Sequence, residues 1–189
     1  MNLAWTILLV FIVGSICFRI LRWLTTPLLR RMGFYTYYAP LFFIQPFGRD
    51  QVEIHLGTTW DLMWTRQLTA RTLMSSLVQG ISGVVADAKR GRLERSLKLR
   101  ATTYFLSEET LLRFGFTVRR PNPFEYFAFV ANYLEVFLIR CIVAGRPRLI
   151  DIRRLRMAET TIERLIESEV AFCRLIPILI RSSGSSQTL

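Results

Sequence analysis

From Leu3 to Phe18 the chain runs sixteen residues without a charged side chain, and its first basic residue is Arg19. A run of this kind has three outlets: a retained membrane helix, a signal segment removed after export, or a helix buried in a soluble core. A span needs roughly 17 to 25 apolar residues, so the run alone is slightly short. Its flanks extend it. Trp5 and Trp23 stand eighteen residues apart, about 27 Å along a helix. That is close to a hydrocarbon thickness of about 30 Å, and tryptophan prefers the two interfaces. Arg19 and Arg22 can lift their guanidinium groups toward headgroups while their stems stay in lipid. A cleaved signal wants a basic start and a small-x-small exit. The first four residues carry no side-chain charge, and Gly14-Ser15-Ile16-Cys17 fits neither that exit nor a lipoprotein cysteine. The expectation is a retained, single-pass anchor over residues 1–23.

Charge sets the expected orientation. No basic side chain precedes the run, whereas Arg19, Arg22, Arg30 and Arg31 follow it closely. The positive-inside rule places the amino terminus outside and the bulk of the chain in the cytoplasm. Residues 24–50, rich in leucine and tyrosine, read as an interfacial connector along the headgroups. The alternative is that these aromatics join the soluble core.

Residues 51–181 then suit one cytoplasmic domain, and 182–189, Ser-Gly-Ser rich, a disordered tail. A net charge of +11 alongside 51% hydrophobic residues excludes a disordered chain. Basic groups held near an anionic leaflet gain roughly 1 kcal/mol each, so membrane lipids are the expected partner, with a membrane protein next. The densest basic stretch, Arg146, Arg148, Arg153, Arg154 and Arg156, suits lipid phosphate or an acidic partner; a solvated loop is the alternative. The remaining arginines are scattered and no nucleic-acid module accompanies them, so nucleic acid is not an expected partner. Cys17, Cys141 and Cys173 have no Cys-x-x-Cys or Cys/His neighbour, so no disulfide framework, metal site or cofactor is expected.

Within the domain, Val52–Leu56 alternates as a strand and Gly57 ends it. Thr58 and Asp61 have the spacing of a capping box, opening a helix over residues 60–89 with a possible break. Leu73, Leu77, Ile81, Val84 and Ala88 share one face of it, and Gly80 and Gly83 permit another helix to approach closely. Leu97–Leu106 alternates most cleanly. Ser107 caps a short helix to Phe114, and Phe116–Arg119 returns as a strand. Asn122, Pro123 and Glu125 start a helix that runs to about Val143. Glu135 and Arg140 inside it would each cost about 2.5–3.5 kcal/mol near a bilayer centre, which makes it the central helix of the soluble domain. Leu149–Ile152 reads as an edge strand and Ala158–Ile176 as a final helix. The expected fold class is α+β: one N-terminal transmembrane helix, then two to four short strands packed on three longer helices.

His55, the only histidine, falls on the polar face of the first strand, just before Thr58 and Asp61 at a strand-to-helix turn. Such a turn suits anion binding or carbonyl polarisation, with His55 as base oriented by Asp61; a hydrogen-bonded surface histidine is the alternative. The segment from Thr102 to Glu109, followed by Phe114-Gly115-Phe116, resembles the last third of acyltransferases of the GNAT kind, where a helix precedes a Gly-Phe strand. The resemblance covers about twenty residues and implies transfer of an acyl group. The pyrophosphate loop of that family is missing, and Gly80 and Gly83 lie mid-helix where they cannot serve. Two functions follow as expectations: a membrane-anchored accessory protein with a basic face, or a membrane-tethered transferase with a pocket near His55, Thr58 and Asp61.

Overall fold

The computed structural model describes residues 2–65 and 68–170. Helix α1 (Leu3–Arg31) leads into a six-stranded sheet: β1 (Thr36–Ala39), β2 (Phe42–Pro46), β3 (Gln51–His55), β4 (Lys98–Thr103), β5 (Thr117–Arg119) and β6 (Arg156–Thr161). Their order is β1-β2-β3-β4-β6-β5. All neighbours are antiparallel except β3 and β4, which run parallel. A parallel pair needs a crossover. Here it is made by α2 (Thr59–Trp64) and α3 (Ala70–Lys89), with α4 (Glu108–Arg113) linking β4 to β5. Between β5 and β6 come α5 (Pro123–Ala131) and α6 (Tyr133–Ala144), and α7 (Ile162–Glu167) follows β6.

The α+β class stands, but six strands exceed the two to four expected. Two of the missed strands, β2 and β6, lack the period of two because both their faces are covered. In β2, Phe42, Phe43 and Ile44 are all buried; in β6, Met157 and Ala158 are both fully buried. Strands buried on both faces read as continuous apolar runs. β6 moves the start of the last helix from Ala158 to Ile162, where Thr161 accepts from the Arg164 N–H as the cap. That helix ends at Glu167 with Ser168 as its C-cap; the expected stretch from 171 to 176, the tail and Cys173 lie outside the described residues. Leu149–Ile152 pairs with no strand, and Ile152–Arg154 is a single 3₁₀ turn. Residues 36–46, read as part of a connector, supply β1 and β2, so their aromatics do join the core.

One face of the sheet closes on α3. Phe42, Ile44, Val52, Ile54, Leu99 and Ala158 pack against Leu77, Ile81, Val84 and Val85. Gly80 and Gly83 serve this contact, with the sheet in place of the expected helix. A Cβ on Gly80 would lie 2.0 Å from the Phe42 ring, and one on Gly83 would lie 2.8 Å from that of Tyr38. Glycine's cost in helix propensity, roughly 1 kcal/mol, is offset by ring-to-backbone packing.

The other face meets α1, α5 and α6. The described residues hold one helix long and apolar enough to cross a membrane, α1, and none of its most apolar stretch is buried. Its last third docks on the domain through a proline. Pro27 has no N–H to give the Trp23 carbonyl four residues back, and the Trp60 indole N–H donates to that carbonyl at 2.6 Å. The two indoles stack at 4.7 Å. The segment read as one central helix is two, bent by 60° at Asn132, which is C-cap of one and N-cap of the next. α6 buries no residue, which corrects its expected place in the core.

Candidate functional site

Pairing between β3 and β4 lasts three residues: Gln51 with Lys98, Val52 with Leu99, Glu53 with Arg100. Beyond that point β3 stays paired to β2 as far as His55, and β4 to β6 as far as Thr103. The two strands therefore diverge, and their facing edges have no ladder partner past Glu53 and Arg100. A cavity of about 1640 Å³ fills the opening. It reaches from Leu73, Met74 and Leu77 of α3, through the gap in the sheet, to α1, α5 and α6 on the far side. Small-molecule sites typically hold about 300–1,000 Å³, so this one suits a larger, elongated ligand.

The polar groups of the cavity follow from strand alternation. Glu53 and His55 are two apart on β3, and Arg100 is the register partner of Glu53, so all three share the face turned toward α1 and α5. His55 Nε2 lies 3.4 Å from a Glu53 carboxylate oxygen, without the alignment of a hydrogen bond. The Phe43 ring stacks on the imidazole at 5.1 Å. Burial opposes the charge on Glu53, but His55, then Arg100 and Arg22, outweigh it and hold its pKa below the usual carboxylate value. The Arg100 guanidinium lies 4.6 Å over the Phe47 ring and donates to Glu125 at 3.1 Å.

Three buried polar atoms among the described residues have no hydrogen-bond partner: His55 Nε2, Arg100 Nε and Thr103 Oγ1. All three residues line this one cavity. Orphaned buried polar atoms are rare and call for a reason. The residues that hold them stand on both sides of the strand gap, an arrangement that suits a site for a polar-headed ligand.

Glu125 buttresses the cavity from α5. Arg119 grips both its oxygens at 2.7 Å, Arg100 adds a third contact, and the Asn122 N–H donates at 2.8 Å as part of the capping box. The Arg119 pairing outweighs burial and lowers its pKa to about 2. Burial raises the pKa of Tyr104, with Arg140 opposing; the Arg140 guanidinium lies 5.7 Å from the centre of that ring.

Of the three residues singled out from sequence, His55 lines the cavity, while Thr58 and Asp61 do not. They form the expected capping box of α2. One Asp61 oxygen accepts from the Thr58 N–H, the Thr58 hydroxyl and the Tyr37 hydroxyl, at 2.7, 2.8 and 2.8 Å. Arg30 lies 3.5 Å from the other. With Asp61 committed to the cap, the acid beside His55 is Glu53. The arginines also divide. Arg22, Arg146, Arg148 and Arg154 line the cavity. Arg19 pairs with Glu135 at 3.1 Å and donates to the Ala131 carbonyl at 2.7 Å. Arg30 lies over the Tyr37 ring at 4.2 Å; Arg31 and Arg153 are exposed. Glu53, Arg100 and Thr103 were missed. The Glu-x-His spacing of one strand face was the available signal for Glu53; the strand gap that exposes Arg100 and Thr103 leaves no local trace.

The described residues hold no cluster of His, Cys, Asp and Glu suited to a metal ion. The chain matches no protein-family model, no curated protein and no solved structure.

Proposed function

We propose that the chain is a membrane-tethered transferase whose reaction takes place in the cavity over the β3/β4 gap. One observation carries this reading: His55, Arg100 and Thr103 line the same elongated cavity, and each also holds a buried polar atom without a hydrogen bond. An accessory protein has no use for three such costs at one place. In the proposed step an acceptor hydroxyl or amine gives its proton to His55 as it attacks the carbonyl of an acyl thioester; the tetrahedral adduct then breaks its C–S bond, and the imidazolium returns the proton to the departing thiolate. Glu53 steadies the imidazolium that forms, and Arg100 holds the negative charge that develops on the carbonyl oxygen. The acyl group as the moiety transferred is what the GNAT resemblance implies. The apolar stretch of α1 crosses the membrane, and the arginines beyond it keep the domain on the cytoplasmic side.

The accessory reading keeps a specific support of its own. Arg146, Arg148, Arg153 and Arg154 are all exposed, a basic surface an anionic leaflet or acidic partner would engage. One experiment separates the two. The full chain is reconstituted in anionic phospholipid vesicles and given a labelled long-chain acyl thioester. Consumption of thioester is expected, slower by about 100-fold or more in His55→Gln, the usual scale for loss of a general base. Equal rates in parent and variant would overturn the role of His55. A thioester that survives both would favour the accessory reading.

A further inference from the structure

Helices α5 and α6 are apolar on the side turned away from the sheet and mixed on the side turned toward it. Their outward stripe, Phe127, Val130, Leu134, Leu138 and Ile142, is apolar and 40–62% exposed. Their inward side holds all the charged groups among apolar ones: Glu125 and Phe129 are buried, and Asn132, Glu135, Val136, Ile139 and Arg140 line the cavity. A surface helix in water does the opposite, and a contiguous exposed apolar face of this kind expects a non-aqueous neighbour. The stripe is continuous with the most apolar part of the molecule. Phe127 of α5 meets Phe11 of α1, ring to ring, at 6.0 Å, and Arg19 of α1 ties itself to α6 and to the end of α5.

We infer that α5 and α6 lie in the plane of the same leaflet that α1 crosses, with phospholipid acyl chains as the occupant of their outward stripe. The pair does not traverse the bilayer. It leaves the sheet at β5 and returns to it at β6, its neighbour, so both its ends are held on one side. Its amino end is pinned by Glu125 to Arg119 and Arg100; its carboxyl end runs into Arg146 and Arg148, both exposed, where headgroup phosphates take them. Irregular backbone is excluded from hydrocarbon, which fixes that turn at headgroup level and the pair near the acyl boundary. The consequence for the cavity is direct. Its walls include the inner sides of α1, α5 and α6, so its mouth faces lipid, and an acyl-chain amphiphile dissolved in the leaflet reaches Arg100 without crossing water. The inference rests on the proposed membrane anchorage and is independent of the catalytic role of His55.

Reconstitution of the full chain with a phospholipid carrying a diazirine in its acyl chain, followed by irradiation and peptide mapping, tests it. Labels are expected on α1 and also on the outward stripe of α5 and α6. In Leu138→Glu/Ile142→Glu, both positions being exposed, labelling of α6 is expected to be lost while that of α1 persists. Labels confined to α1 would overturn the inference and leave the anchorage standing. Labels on neither would remove the anchorage as well. A crosslinked dimer in place of lipid adducts on the stripe would assign that face to a second copy and overturn the inference. His55→Gln is expected to label as the parent does, whatever its activity.

Discussion

The two faces of the sheet are built from the same strands and solve opposite problems. Toward α3 the strands present Phe42, Ile44, Val52, Ile54 and Leu99 to a helix that gives up side chains at Gly80 and Gly83 to come closer. Toward α1, α5 and α6 the same strands present Glu53, His55 and Arg100 to helices that stand off, and a cavity of about 1640 Å³ opens there and runs through the strand gap to α3. Close packing is the default of protein interiors, so the closed face is where folding energy is gathered. The open face retains His55 and Arg100, each with a buried nitrogen lacking a hydrogen bond, which a fold selected for stability alone would bury with partners or replace. The difference teaches where to look for function: on the face that is worse packed.

The contrast can be broken most forcefully on the closed face. Gly80→Val should destabilise the chain by about 3 kcal/mol or more through overpacking against Phe42, read as a lower denaturant midpoint in detergent, with lipid labelling of α1 unchanged. Next comes the hinge between the faces. Glu125 titrates at about 2 against a usual 4.5. Its pairing therefore contributes fully above pH 4.5 and is lost as pH falls toward 2. Roughly 2 kcal/mol of acid-labile stability is expected after allowance for the part-exposed Arg119. Glu125→Gln should flatten the decline in unfolding free energy between pH 5 and 2.5; an undiminished decline would place the acid-sensitive group elsewhere. Trp60→Phe keeps the stacking on Trp23 but leaves the carbonyl freed by Pro27 without its donor, at about 1 kcal/mol. Proteolysis between α1 and the sheet should quicken accordingly. The smallest effect is expected at His55. His55→Leu removes a buried ring nitrogen without a hydrogen bond but also takes the nearest counter-charge from Glu53, so stability should move by less than about 1 kcal/mol. A marked fall in thermal midpoint would show that His55 supports the fold.

Sequence reading reached what local chemistry dictates. The capping residues Thr58, Ser107 and Asn122 stand where their spacing placed them, and the α3 stripe from Leu77 to Ala88 is the buried face. β3 and β4 were legible because one side of each is partly polar. β2 and β6 were not, because covering on both sides erases the alternation that announces a strand. At the site, His55 stood out as the lone histidine, but Asp61 was read as its partner when Asp61 was already claimed by the helix end that Thr58 begins. The outward apolar stripe of α5 and α6 was hidden for a related reason. Glu135 and Arg140 signalled a soluble helix, and only the fold reveals that they turn inward while Leu134, Leu138 and Ile142 turn out.

The brevity of the β3–β4 ladder has a mechanical meaning. Three residues form the spine between a β1-β2-β3 leaf and a β4-β6-β5 leaf, so this sheet is a half-opened book. Whatever is laid between its pages and bonds to both free edges acts as stitching. Slowed deuterium uptake at Thr102, whose N–H faces that opening, would then report a bound molecule before its chemistry is known.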